Sequence, residues 1–105
     1  MQSLAADVDL ATEQKFKRLT DQWRKETFLS SSSTDIVYHP AYLKIIGMGK
    51  IVLPLILREL EQSGGHWFLA LSSITDENPV NPDDAGKIKK MKDAWIQWGK
   101  QNHYL

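Results

Sequence analysis

Ile51-Val52-Leu53-Pro54-Leu55-Ile56-Leu57-Arg58-Glu59-Leu60-Glu61-Gln62 is the stretch on which the fold class turns. Its first seven residues form the longest apolar run of the chain and, taken alone, suit a buried strand. Pro54 removes that option. A central strand cannot spare the ladder donor that proline lacks, whereas a helix opening near Leu53 places proline in its first turn, where the N–H has no partner to lose. The continuation Arg58-Glu59-Leu60-Glu61 consists of good helix formers. The stretch therefore predicts a helix over residues 53–63, stopped by Gly64 and Gly65.

On the N-terminal side, Pro40 opens a second, shorter helix over residues 40–47, which contains Ala41, Tyr42, Leu43, Ile45 and Ile46 and fails at the glycines 47 and 49. Before it, Ser30 to Thr34 is a run of five hydroxyl residues whose side chains compete for the backbone, so residues 30–39 are read as a linker. Residues 10–29 carry Phe16, Leu19, Trp23 and Thr27 at spacings of three and four, one face of a helix. Residues 1–9 lack such periodicity and are read as a loose start. On the C-terminal side, Trp67, Ala70, Leu71 and Ile74 fall at i, i+3, i+4 and i+7, predicting a helix over 66–74. Asn81-Pro82-Asp83-Asp84 then combines a cap, a first-turn proline and early acids, predicting a last helix over 82–101. Its inward side is read as Ile88, Met91, Trp95 and Trp98. No strand remains, so the class is all-α: one compact five-helix domain spanning the 105 residues. The expected core centre is Leu53, Ile56, Leu57, Leu60, Trp67, Ala70, Leu71, Ile74, Met91 and Trp95.

The pair of helices around Gly49 resembles a known family. Pro40 to Gly49, followed by Lys50 to Glu61 with Val52, Pro54, Leu55, Ile56 and Leu60 in an aliphatic-X-Pro-X-aliphatic pattern, is similar to a HEAT-type helical repeat, particularly the short variety related to phycobilisome-lyase repeats. Residues 66–74 look like the first helix of a following unit. The resemblance covers residues 40–75, about one and a half repeats, and implies a HEAT-like hairpin inside the domain. A self-sufficient solenoid ordinarily needs at least about three repeats, so the first and last helices would serve as caps.

Composition excludes several chemistries. The chain has no cysteine, and hence no disulfide, thiolate zinc site or cysteine nucleophile. Thirteen Lys and Arg balance thirteen Asp and Glu, which removes the simplest electrostatic case for a nucleic-acid or acidic-membrane partner. The seven-residue apolar run falls far short of the roughly 20 residues that span a bilayer, and Met1 to Leu10 carries neither a basic nor an apolar signal region, so no membrane association and a cytoplasmic setting are expected. His39, His66 and His103 lie far apart without carboxylates at metal-ligand spacing, and no phosphate-cradling glycine motif or nucleophile elbow occurs. Asp76, Glu77, Asp83 and Asp84 form an acidic cluster, but helix capping accounts for two of them and the spacing does not fit a calcium loop. No cofactor, metal or catalytic residue is expected.

Surface chemistry concentrates in the last helix. Residues 87–100 contain five lysines and one acid, Asp93. At about 100° per residue, Lys89, Lys92, Ile96 and Lys100 share a stripe beside the inward face. With Tyr104 near the terminus, they are the candidate partner-binding residues. An aliphatic residue among cations suits a protein partner, making a non-enzymatic adaptor or regulatory module the expected function. A nucleic-acid-associated factor, with lysines on phosphates and an aromatic on bases, is the alternative.

Overall fold

A computed structural model describes residues 8–105 of the chain; the loose start expected at residues 1–7 lies outside the described residues. Within them the chain is all-α, with six α-helices and no strand: α1 (Leu10–Thr27), α2 (Ser33–Val37), α3 (Pro40–Gly47), α4 (Leu53–Ser63), α5 (Phe68–Thr75) and α6 (Ile88–Gln101). Two 3₁₀ turns, Gly49–Val52 and Pro82–Asp84, precede α4 and α6. Helix α1 ends two residues before the expected 10–29 helix and α5 starts two residues after the expected 66–74 helix. Three further differences each have a local cause.

Asp9 was assigned to the loose start, yet its carboxylate accepts the Thr12 N–H at 2.8 Å and caps α1. This bond holds the Asp9 carboxyl below the usual carboxylate range. The expected linker over 30–39 contains α2, because Ser32 accepts the Asp35 N–H at 3.3 Å and so turns a hydroxyl that competes for the backbone into a cap. Ile36 and Val37 then pack back onto the core.

The third difference is the start of α6. Asn81 caps as expected, accepting the Asp83 N–H at 2.9 Å, but what it caps is a three-residue 3₁₀ turn. Ala85 is extended and Gly86 has φ +84°, a left-handed conformation that glycine adopts without strain and that no α-helix continues through. The helix therefore begins at Ile88, six residues later than the proline signal implied, and Lys87 stands at its N-cap without a capping side chain.

Helix α1 packs along α3, α3 against α5, and α4 against α6. One aromatic group ties the first three together: the Trp67 ring lies 4.9 Å from Trp23, 5.8 Å from Phe16 and 5.9 Å from Tyr42. The polar atoms of this group are mostly placed. The Trp23 indole donates to the Ile36 carbonyl at 2.8 Å, and the Tyr42 hydroxyl donates to the His66 carbonyl at 2.6 Å while accepting the Ala70 N–H at 3.0 Å. Burial pushes the Tyr42 phenol up to about 12. Leu53, Ile56, Leu57, Leu60, Trp67, Ala70, Leu71 and Trp95 are buried as expected, whereas Ile74 and Met91 are only partly so.

His39 holds two elements at once. Its Nδ1 accepts the Ala41 N–H at 3.0 Å, which caps α3 and leaves the ring proton on Nε2, facing Glu26 Oε1 of α1 at 2.8 Å. His39 is thus a clasp between α1 and α3.

Candidate functional site

The surface of α6 is set by its contact with α4. Gly99 is buried, and a Cβ there would lie 2.7 Å from Leu57 Cδ1. Because the glycine presents only hydrogen, α4 approaches closely and covers the flank that carries Ile96. That residue, expected on an exposed stripe, is 8% exposed and belongs to the core. The sequence reading centred the inward face on Ile88, Met91, Trp95 and Trp98 and gave Gly99 no part in it. Including Gly99 rotates that face toward Ile96.

The other candidate residues separate. Lys92, Ile96 and Lys100 do come together, with Glu61, Asp93 and Gln97, around a polar depression of about 350 Å³ between α4 and α6. Lys89 is exposed, its Nζ 3.1 Å from Asp93 Oδ2. Tyr104 is not a free terminal side chain. Its ring stacks on Trp98 at 5.5 Å and 14°, on the opposite flank of α6 from Ile96, and its N–H donates to the Gly99 carbonyl at 2.8 Å. His103 N–H donates to Lys100 O at 3.2 Å and His103 itself has φ +64°, so the chain closes α6 with a left-handed C-terminal motif that pins Tyr104 inward.

Ile88 makes the reverse exchange. Expected inward, it is 63% exposed. Glu61 of α4 lies by Lys92 and Ile96, and α4 ends at Ser63, so the first turn of α6 runs beyond the reach of its partner helix. Ile88, Met91 and Trp95 remain one stripe by helical spacing, and the stripe leads into a small groove. Phe68, Leu69, Ser72, Asn78, Val80, Met91 and Trp95 line this groove of about 200 Å³ without a single charged residue. Lys87 and Lys90 face Asp84, their Nζ atoms 3.9 and 3.7 Å from its Oδ1, and Lys92 stays on the side of the α4–α6 depression. The late helix start marked by Gly86 and the short α4 were the sequence signals that could have exposed Ile88.

The acidic cluster disperses. Asp76 ends α5 in a left-handed conformation with φ +56°, Glu77 accepts the Trp98 indole N–H at 3.2 Å, and Asp84 faces Lys87 and Lys90. Among the described residues no three His, Asp or Glu side chains are placed to hold a metal ion. A wider groove of about 520 Å³ separates α1 from α4, but its charges face one another: Lys17 meets Asp21 at 2.8 Å and Arg24 meets Glu59 at 2.7 Å. Thr20 Oγ1 and Arg24 Nε in its wall, and Trp67 Nε1 in the core, are buried without a hydrogen-bond partner among the described residues. None of these three atoms is accessible from the groove, so they are structural orphans rather than ligand contacts.

No single helix of the described residues is long and apolar enough to cross a membrane. The domain class is all-α; no protein-family model, curated protein or solved structure matches the chain.

Proposed function

We propose that this chain is a non-enzymatic protein-interaction module that docks through the first two turns of α6. The observation that carries the reading is Ile88, a branched aliphatic side chain held 63% exposed on a rigid helix, continuous with Met91 and the groove at Trp95. An exposed branched aliphatic residue on a helix whose other exposed positions are polar suits a protein surface with an apolar centre and a polar rim. It has no use on a phosphate backbone. Three side chains with catalytic potential are engaged in the fold: His39 caps α3, Tyr42 joins His66 to Ala70, and Glu77 holds Trp98. A HEAT-like α3–α4 hairpin, its segments turning by 108° at Met48, and a cytoplasmic setting are parts of the same proposal.

A photo-crosslinking amino acid at position 88 tests this reading in cells, with the exposed Lys15 of α1 as the control position. Discrete protein adducts formed from position 88, absent from position 15 and abolished by Lys87→Glu with Lys92→Glu, are the expected result. Adducts to nucleic acid instead of protein would replace the proposal with the nucleic-acid reading.

A further inference from the structure

We infer that the outer seam between α1 and α3 is a docking surface for an acidic membrane leaflet. It is separate from the first turns of α6 and does not depend on them. Ala11, Lys15, Arg18, Gln22 and Glu26 follow one another at spacings of four, three, four and four, so they form one stripe of α1. Both ends of this stripe meet the α3 side. Glu26 Oε1 lies 2.8 Å from His39 Nε2 at the start of α3, and Ala11 and Lys15 line a shallow recess with Met48 and Ile51 just past its end. The stripe therefore runs antiparallel along α3, with Lys15 and Arg18 between its two ends. Lys44 stands one turn before Met48, whose N–H donates to the Lys44 carbonyl at 3.1 Å, and so adds a cation from the α3 side. Lys50 follows on the 3₁₀ turn, next to Ile51.

The chain is neutral overall, but its charges are segregated along this seam. Lys15, Arg18, Lys44 and Lys50 are exposed and form no salt bridge with a described residue. The carboxylates of residues 8–52 are placed elsewhere: Asp9 caps α1, Glu13 and Asp21 line the α1–α4 groove, Glu26 faces His39, and Asp35 sits on α2. An array of unpaired cations held on two packed helices is complementary to a surface of negative charge. Lipid headgroups and nucleic-acid phosphates both present one, and the neighbouring residues decide between them. Ile51 is 49% exposed beside Lys50, and an aliphatic side chain level with cations enters the boundary between headgroups and acyl chains. The aromatic rings of α1 and α3, those of Phe16, Trp23 and Tyr42, are buried, which leaves these helices none to stack on bases.

Co-sedimentation of the full chain with lipid vesicles tests this, using phosphatidylcholine alone and phosphatidylcholine with about one-third phosphatidylserine. The chain should sediment with the acidic vesicles and not with the neutral ones, and be released as salt rises. Lys15→Glu with Lys44→Glu should reduce the affinity by about tenfold or more, since each cation at an acidic leaflet contributes about fivefold. Ile51→Asp should reduce it as well. All three positions are exposed, so the helical circular dichroism should stay intact. Lys87→Glu with Lys92→Glu makes the same change of net charge on α6 and should leave vesicle binding as it was, which keeps this inference distinct from the α6 reading. Equal binding to neutral and acidic vesicles, binding to neither, binding that survives either seam variant, or an equal loss in the α6 variant would overturn the inference. Tighter binding to a double-stranded DNA oligonucleotide than to the acidic vesicles at the same salt would overturn it in favour of a phosphate backbone.

Discussion

Gly99 lacks a Cβ at a point where one would lie 2.7 Å from Leu57 Cδ1 and 3.3 Å from Leu105 Cδ1. Glycine in a helix interior is ordinarily worse than alanine by about 1 kcal/mol, so its presence here reflects packing against α4 and not helix propensity. Gly99→Val should destabilise the domain by about 1–3 kcal/mol, as overpacking of a filled core does, and a urea titration measures it. An unchanged midpoint would show that Leu57 and Leu105 move aside freely. Tyr42 makes the second prediction at this scale. Its phenol ionises at about 12 in the folded chain against 10.0 for the ordinary group, so the folded state keeps a proton that the unfolded state loses first. Stability from this group is complete below pH 10 and declines as pH rises toward 12, the sign required when the folded pKa is the higher one. Tyr42→Phe should abolish that component of the alkaline decline in thermal unfolding. It should also cost about 1–3 kcal/mol at neutral pH, since the Ala70 N–H and His66 carbonyl lose their shared partner.

Among the elements, α3 and α4 were legible in the sequence to the residue: Pro40 and Pro54 fall in their first turns, Gly47 ends α3, and Gly64 follows α4. Their starts and stops are local chemistry, which a sequence displays directly. The α6 boundary failed because start signals say where a turn begins and not how far it propagates; Ala85 and Gly86 ended the turn that Asn81 and Pro82 began. Lys87 is consequently the residue before the helix, extended at φ −88° and ψ 94° with no capping side chain. Lys87→Ser should stabilise the domain by about 1 kcal/mol by capping α6, whereas Asn81→Ala, at the exposed 3₁₀ turn, should change it by less than about 0.5 kcal/mol. Comparison of the two melting temperatures checks the pair, and a larger loss at Asn81 would return the functional start of α6 to residue 82. The candidate surface was legible only in part. Lys89, Lys92 and Lys100 follow from charge and period, but the exchange of Ile96 for Ile88 depends on how closely α4 approaches and where it stops, and both are tertiary facts.

For the molecule as a whole, Leu57 and Leu60 of α4 are buried in the same apolar cluster as the aromatic group of α1, α3 and α5 and the tryptophans of α6. Leu60→Ala should cost about 2–5 kcal/mol, a large share of the roughly 5–15 kcal/mol that stabilises a domain. Chemical denaturation followed by circular dichroism measures this, and a loss below about 0.5 kcal/mol would place Leu60 outside the core. The arrangement of the four tryptophans has an optical consequence. Trp23 and Trp67 sit among α1, α3 and α5, while Trp95 and Trp98 sit on α6, with Trp98 lying under the Tyr104 ring and bonded to Glu77. Fraying of the last residues would unstack Tyr104 and alter the emission and near-ultraviolet dichroism of Trp98 while the other indoles still report a folded interior. The chain thus carries a native spectroscopic probe of its own C-terminal closure, readable without any label.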